Sequence, residues 1–234
     1  MTVRVRLALL VATCAFVASA CSISSLKSGS ESKANNSNTK SSTAGSAFTP
    51  SSDARKDVLG ALAKLNSAYP YRLTETMSAL TNGASTMPGG TRVVEFEAAD
   101  RSHMKFTGGV GGDVEAITIG EKHYWYSSGK WSEGSLGRAG DGGVDFAKKL
   151  AEMVRDVKYV GSETVNGIAC HAYACTFDGS MAGQSWSGTS KVWIGANDGL
   201  PHQSDSDLKF SNYAGKSHVV YEYGGNIKVT PPTM

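Results

Sequence analysis

The sequence predicts an α+β domain in which antiparallel strands predominate. From Tyr71 onward, short segments of alternating polar and apolar residues are separated by brief turns, a pattern typical of strands with one buried face. The pair Asn166-Gly167 lies between two such segments and is the strongest hairpin signal in the chain. The 27 glycines and 9 tyrosines among 234 residues also favour a turn-rich β protein.

Residues 1–20 have the features of a bacterial secretory signal peptide. Arg4 and Arg6 precede an apolar run over 7–17, which is shorter than the roughly 20 residues that span a bilayer. The run ends in Val17-Ala18-Ser19-Ala20-Cys21, which resembles the lipobox of bacterial lipoproteins. That resemblance implies cleavage before Cys21 and acylation of its thiol, so that lipid attaches the protein to a membrane.

Two alternatives to this acylation site stay open. Ala18 stands where a lipobox usually has leucine, and Ala18-Ser19-Ala20 also fits an ordinary cleavage site, which would mean plain secretion. Cys14 is a weaker candidate, because the apolar run before it is very short; it is also explained as an apolar residue of the signal peptide.

Residues 21–50 are predicted to be the lipidated cysteine followed by a flexible tether. The segment is rich in Ser, Asn, Lys, Thr and Gly and almost lacks large apolar side chains. Such a composition cannot bury enough surface to offset the entropy of ordering. The folded domain is therefore expected to occupy 51–234.

The domain begins with a predicted helix over 53–68, with Ser52 as its N-cap and Pro70 beyond its end. Its apolar residues recur at helical spacing, and a second helix is expected at 143–155. Between and after the helices, about ten strands are expected to form an antiparallel meander. The predicted strands cover 71–77, 92–98, 103–107, 114–119, 122–127, 157–165, 168–177, 190–194, 201–210 and 216–223, with a last short one at 226–229.

The sequence contains no catalytic or nucleic-acid-binding signature. The 23 basic and 21 acidic residues nearly balance, and no basic patch indicates nucleic acid. In 183–188 the second glycine falls one position late for a nucleophile elbow, so a polar hairpin loop is the preferred interpretation. The five histidines are scattered, and Asp205 and Asp207 fit an exposed strand face better than a cation site. No enzyme activity, cofactor or metal is predicted.

Cys170 and Cys175 lie in one predicted strand. Five residues of extended chain span about 17 Å and place the two side chains on opposite faces. A disulfide requires Cα atoms within about 7 Å. Both thiols are therefore expected to be reduced, with at least one of them buried.

Three segments carry a resemblance to a known family. They are residues 124–131 (YWYSSGKW), residues 161–173 (GSETVNGIACHAY), and residues 191–195 (KVWIG) followed by 198–201 (DGLP). Their order over about 53–230 resembles the LolA/LolB-like superfamily and its LppX/LprG-like lipoproteins. The resemblance implies a strongly curved, unclosed antiparallel sheet, a half-barrel, with helices packed on the concave face.

The resemblance also implies an apolar cavity between sheet and helices that accepts acyl chains. The expected partners are the membrane, through the N-terminal lipid, and a lipid or acylated-protein guest. For each single candidate lining residue, a place in the core is the preferred interpretation over ligand contact. The candidates are Val94, Phe96, Met104, Phe106, Ile117, Ile119, Tyr124, Tyr126, Val192, Ile194, Tyr221 and Tyr223.

Function is expected to be binding or carriage of that guest in the cell envelope. The location would be the outer face of the cytoplasmic membrane or the outer membrane; Ser22 after the acylated cysteine favours the latter if the cell has one. An envelope protein-interaction or stress-sensing domain without lipid cargo is the alternative. A hydrolase is a third possibility, for which the sequence offers no site.

Overall fold

The computed structural model describes residues 47–109, 112–127, 129–134, 152–181 and 184–234. Within them the chain forms one helix, a short 3-10 turn and one sheet of 13 antiparallel strands. The predicted signal peptide, Cys21, most of the tether and most of the predicted second helix lie outside these residues. The strands are β1 (Tyr71–Met77), β2 (Leu80–Thr81), β3 (Thr86–Met87), β4 (Gly90–Ala98), β5 (Arg101–Gly108), β6 (Val114–Ile119), β7 (Lys122–Ser127), β8 (Lys130–Glu133), β9 (Val154–Val165), β10 (Ile168–Met181), β11 (Gln184–Gly195), β12 (Pro201–Phe210) and β13 (Tyr213–Tyr223).

The helix α1 spans Ala54–Lys64 and continues into a 3-10 turn at Leu65–Ser67. Its N-cap is Asp53 rather than the predicted Ser52, because the Asp53 side chain accepts a hydrogen bond from the Lys56 amide. Val58 and Ala61 form its buried stripe. The prediction of one amphipathic helix before the sheet is confirmed.

The sheet is unclosed, as predicted. Its strand order is β8-β7-β6-β5-β4-β1-β13-β12-β11-β10-β9, with β2 paired to β13 and β3. Every strand pairing in the described residues is antiparallel, so the strands form two meanders that meet where β1 pairs with both β4 and β13. The result is a curved half-barrel in which β8 and β9 are the two edges among the described strands.

The Asn166-Gly167 turn joins β9 to β10 as predicted. Both residues have positive φ angles, 51° and 79°, as a tight hairpin turn requires. Farther along, the register of β9 on β10 shifts twice. Asp156 (φ 42°) and Gly161 (φ 146°) interrupt the regular backbone of β9 near these shifts.

Three boundary predictions are wrong. Strand β9 starts at Val154, inside the predicted second helix. Residues 184–188, expected in a polar loop, belong to β11, because Trp186 is buried against Phe210. Residues 226–229 form no strand; Val229 instead packs on the sheet as part of an irregular C-terminal segment.

The two faces of the sheet differ in what covers them. We call the face against which α1 packs the inner face and the opposite one the outer face. On the inner face, α1 covers β9–β11 through Val58 and Ala61, which contact Tyr173, Val192 and Ile194. A second inner cluster joins β1, β4 and β13, and a third lies beside Met153. Their buried members are Tyr71, Leu73, Val94, Phe96 and Val219 in the second and Met153, Phe177, Trp186, Leu208 and Phe210 in the third.

No helix in the described residues is both long enough and apolar enough to cross a bilayer.

Candidate functional site

Eight of the twelve predicted lining residues share the inner face. Cross-strand pairing puts directly opposed residues on the same face of a sheet. Tyr71 is opposite both Phe96 and Tyr223, and Leu73 is opposite both Val94 and Tyr221. Further pairings extend this face outward on both sides. The eight are Val94, Phe96, Met104, Phe106, Val192, Ile194, Tyr221 and Tyr223. Their role in ligand binding stays a prediction.

The other four lie on the outer face, so the twelve residues do not line one cavity. Ile117 is opposite His103, and His103 is opposite Glu95, whereas Met104 is opposite Val94 on the inner face. The four are Ile117, Ile119, Tyr124 and Tyr126. Ile117 and Tyr124 are covered by Val229 of the C-terminal segment, which gives them a place in a separate apolar cluster.

Burial on the inner face decreases from the middle of the sheet toward β8. Val94 and Phe96 are buried in the core, and Val192 and Ile194 are buried beneath α1. Four apolar inner residues of β5 and β6 are instead half-buried. We call these four residues the apolar strip: Met104, Phe106, Val114 and Ala116. The strip offers apolar surface directly continuous with the core.

A buried ion pair lies beside the apolar strip. Arg92, opposite Phe106, is 1% exposed, and Glu75 is 3% exposed. Arg92 Nη2 donates a hydrogen bond to Glu75 Oε2, and Ser217 Oγ donates to Glu75 Oε1 at 2.6 Å. The Nε and Nη1 atoms of Arg92 are buried without an acceptor. Two charged side chains thus lie on the inner face beside the apolar strip.

Tyr221 and Tyr223, two inner tyrosines of β13, keep their hydroxyl protons to a higher pH than an ordinary tyrosine. Burial, together with the nearby Glu75 carboxylate, raises the pKa of the Tyr221 hydroxyl. Burial and the neighbouring Tyr221 raise the pKa of Tyr223, whose hydroxyl donates to the Pro201 carbonyl. These hydroxyls are hydrogen-bond donors rather than nucleophiles.

Alternation in the sequence also predicts that Glu75 and Arg92 face inward, although neither residue was among the twelve apolar candidates. Arg92 lies two residues before Val94 and four before Phe96, so strict alternation places it on their face. Glu75 follows Leu73 in the same way. A charged residue at an inward position of a strand is the pattern that marks such a pair.

The outer face carries a polar groove of about 950 Å³ across β1 and β9–β13. Within it Lys216 pairs with Asp207 at 2.9 Å, and His218 pairs with Asp205. Thr189 and Lys158 line it farther along. Most of its lining side chains are charged or carry a hydroxyl, although much of the surface that they expose is apolar.

Cys170 and Cys175 are unpaired and buried, as expected, and burial raises the pKa of both thiols. Cys170 is opposite Glu163 and Cys175 is opposite Ser190, on opposite faces of β10. The described residues also hold no group of three His, Cys, Asp or Glu side chains arranged for a metal ion.

Comparison with known proteins identifies the fold. No protein-family model and no curated protein matches this chain. The solved structure of the lipoprotein LppX from Mycobacterium tuberculosis matches with a TM-score of 0.55 and 14% identity, over 76% of this chain and 98% of LppX. This chain has the LppX fold. LprF from Mycobacterium bovis also matches, with a TM-score of 0.51 and 12% identity, over 80% of this chain and all of LprF. The resemblance to LppX/LprG-like lipoproteins is thus confirmed for the fold.

Proposed function

We propose that this protein is a lipid-anchored lipoprotein of the bacterial cell envelope whose inner face binds a lipid or an acylated guest. The proposed function is binding, without catalysis. One observation carries it: the apolar strip on β5 and β6 is half-buried and continuous with the core, whereas the described helix packs over β9–β11. The LppX fold and the lipobox-like sequence before Cys21 support it.

The free energy gained by burying methylene groups is large enough for an acyl chain to bind to the apolar strip. Each methylene removed from water contributes about 0.8 kcal/mol. A chain that covers Met104, Phe106 and Ala116 would therefore bind usefully even if part of it stayed outside.

A matched pair of bulky substitutions tests where the guest binds. Ala116 is a half-buried alanine of the apolar strip, and Ala174 is a half-buried alanine at the outer groove. The full chain with Cys21→Ser is purified and examined by native and then denaturing mass spectrometry. We expect a lipid mass lost on denaturation in this protein and with Ala174→Trp, and a bare protein with Ala116→Trp.

Two other outcomes would contradict either the proposed binding surface or lipid binding itself. If Ala174→Trp loses the guest and Ala116→Trp keeps it, the guest binds in the outer groove. A bare Cys21→Ser protein, still bare after incubation with envelope lipids, would reject lipid binding and favour the protein-interaction alternative.

The anchor is tested separately. Cells grown with labelled palmitate should incorporate label into the protein with Cys21 and not into the Cys21→Ser variant. Cys14→Ser serves as the control, because Cys14 is predicted to lie in the cleaved signal peptide. Label that is lost with Cys14→Ser and kept with Cys21→Ser would move the acylation site to Cys14.

A further inference from the structure

Three buried side-chain nitrogens lack a hydrogen-bond partner in the part of the chain that the structure describes. They are Nε and Nη1 of Arg92 and Nε1 of Trp125. Buried polar atoms are nearly always hydrogen-bonded, so each exception requires an explanation. All three are donors, and none can accept a hydrogen bond.

The three donors share one surface. Trp125 is opposite Ala116, Ala116 is opposite Met104, and Met104 is opposite Val94, which places Trp125 on the inner face. Arg92 lies on the same face, two residues along β4 from Val94. The apolar strip therefore runs between the two sets of unpaired donors, Arg92 on the β4 side and Trp125 on the β7 side.

The charge balance restricts the missing partner. The Arg92 cation and the Glu75 anion compensate one another, and Glu75 already accepts from Ser217 and Arg92. A bound carboxylate or phosphate would add an uncompensated negative charge to this buried face, which is costly. A neutral acceptor, such as the carbonyl oxygen of an ester, satisfies the donors without adding charge.

We propose that Arg92 and Trp125 form the polar anchor of the guest site, which holds ester carbonyl groups of an uncharged acyl ester while the acyl chain covers the apolar strip. This inference rests on the proposed function and adds the site's polar contacts and the chemistry of its ligand. Arg92 is the principal contact, because its guanidinium offers two free N–H groups and is charged.

The test uses two ligands that differ in the carbonyl groups. Dioctanoylglycerol carries two ester carbonyls, and dioctylglycerol is its ether counterpart with the same chains. The full chain with Cys21→Ser is stripped of lipid and titrated with each by native mass spectrometry. We expect the ester to bind about tenfold more tightly than the ether, and octanoate to bind more weakly than the ester.

The chain offers a matched control for the key variant. Arg92 and Glu75 join β4 to β1 on the inner face, and Glu95 and Arg72 join the same strands on the outer face. In Glu75→Gln/Arg92→Met the preference for ester over ether should disappear. Glu95→Gln/Arg72→Met, with identical substitutions, should keep the full preference. Trp125→Phe should reduce the preference about threefold.

Arg92→Lys covers the case in which the inner double variant does not fold. Lysine keeps the charge opposite Glu75 but lacks the guanidinium fork, so the preference should again be lost. An unchanged preference in a folded inner variant overturns the polar anchor while leaving lipid binding intact. Failure of both ester and ether to bind the unsubstituted inner face would reject the proposed function and the anchor with it.

Discussion

Glu75 and Arg92 face one another across β1 and β4 and are almost completely buried. Arg72 and Glu95 make the equivalent contact on the outer face of the same two strands, where both remain partly exposed. One strand pair thus carries two arginine–glutamate pairs in opposite environments. Because the two pairs differ in exposure to water, disrupting them should change the free energy of unfolding by different amounts.

Removing one partner of the inner pair should be strongly destabilising. Arg92→Met leaves Glu75 charged and buried without its cation, which we expect to lower the free energy of unfolding by about 3–5 kcal/mol. Arg72→Met on the exposed side should cost about 0–1 kcal/mol. Urea unfolding followed by circular dichroism measures both, and equal losses would show that Glu75 is not isolated from water.

Stability should decrease at alkaline pH because of the half-buried Tyr221 and Tyr223. The folded-state pKa values of Tyr221 and Tyr223 are raised above the ordinary value of 10.0. The unfolded chain therefore releases these protons first as the pH rises, which favours unfolding. The contribution is fully present below about pH 10 and is lost above it. Tyr221→Phe should reduce the slope of unfolding free energy between about pH 9 and pH 11; an unaltered slope would exclude Tyr221 as a contributor.

The thiols of Cys170 and Cys175 should react slowly in the folded protein. Both are buried and unpaired, and burial raises their pKa values, which lowers the reactive thiolate fraction. In the Cys21→Ser protein, a disulfide-exchange dye should label both quickly in urea without reductant and neither quickly in buffer. The absence of free thiol in urea would mean that a disulfide joins the two residues and that β10 is broken between them.

Two glycines should respond oppositely to alanine. A Cβ at Gly188 would lie 2.1 Å from the Asp207 carbonyl oxygen and 2.6 Å from the Phe177 ring, so Gly188→Ala must displace backbone and should cost about 1–3 kcal/mol. Gly60 lies inside α1 with open space around its Cα. Gly60→Ala should therefore stabilise the protein by about 0.5–1 kcal/mol. Thermal unfolding checks both signs, and a stable Gly188→Ala protein would contradict the close β11–β12 contact.

Local patterns predicted much of the fold. The Asn166-Gly167 turn, the alternation in β1 and β4 and the opposite orientation of Cys170 and Cys175 follow from sequence spacing alone. The curvature of the sheet came from the family resemblance, since alternation carries no information about how a sheet bends.

The site was harder to predict, because alternation within a strand does not determine the register between strands. Ile117 and Met104 both occupy apolar positions, yet β5–β6 pairing assigns them to opposite faces. The C-terminal segment that covers Ile117 forms no strand and gave no periodic signal. The inward orientation of Arg92 and Glu75 could have been predicted, because each lies two residues from an inward apolar residue of its own strand.

The two free edges of the sheet have a consequence for self-association. An unpaired strand edge is a template for another chain, and regular edges promote aggregation. Strand β9 departs from regular geometry at Asp156 and Gly161 and shifts register twice, whereas β8 is a short strand with lysine at its first position. Neither edge presents a long straight ladder to a second copy. Pairing between the described edges of two copies should therefore be unfavourable, so the open sheet avoids the aggregation risk of a long flat edge.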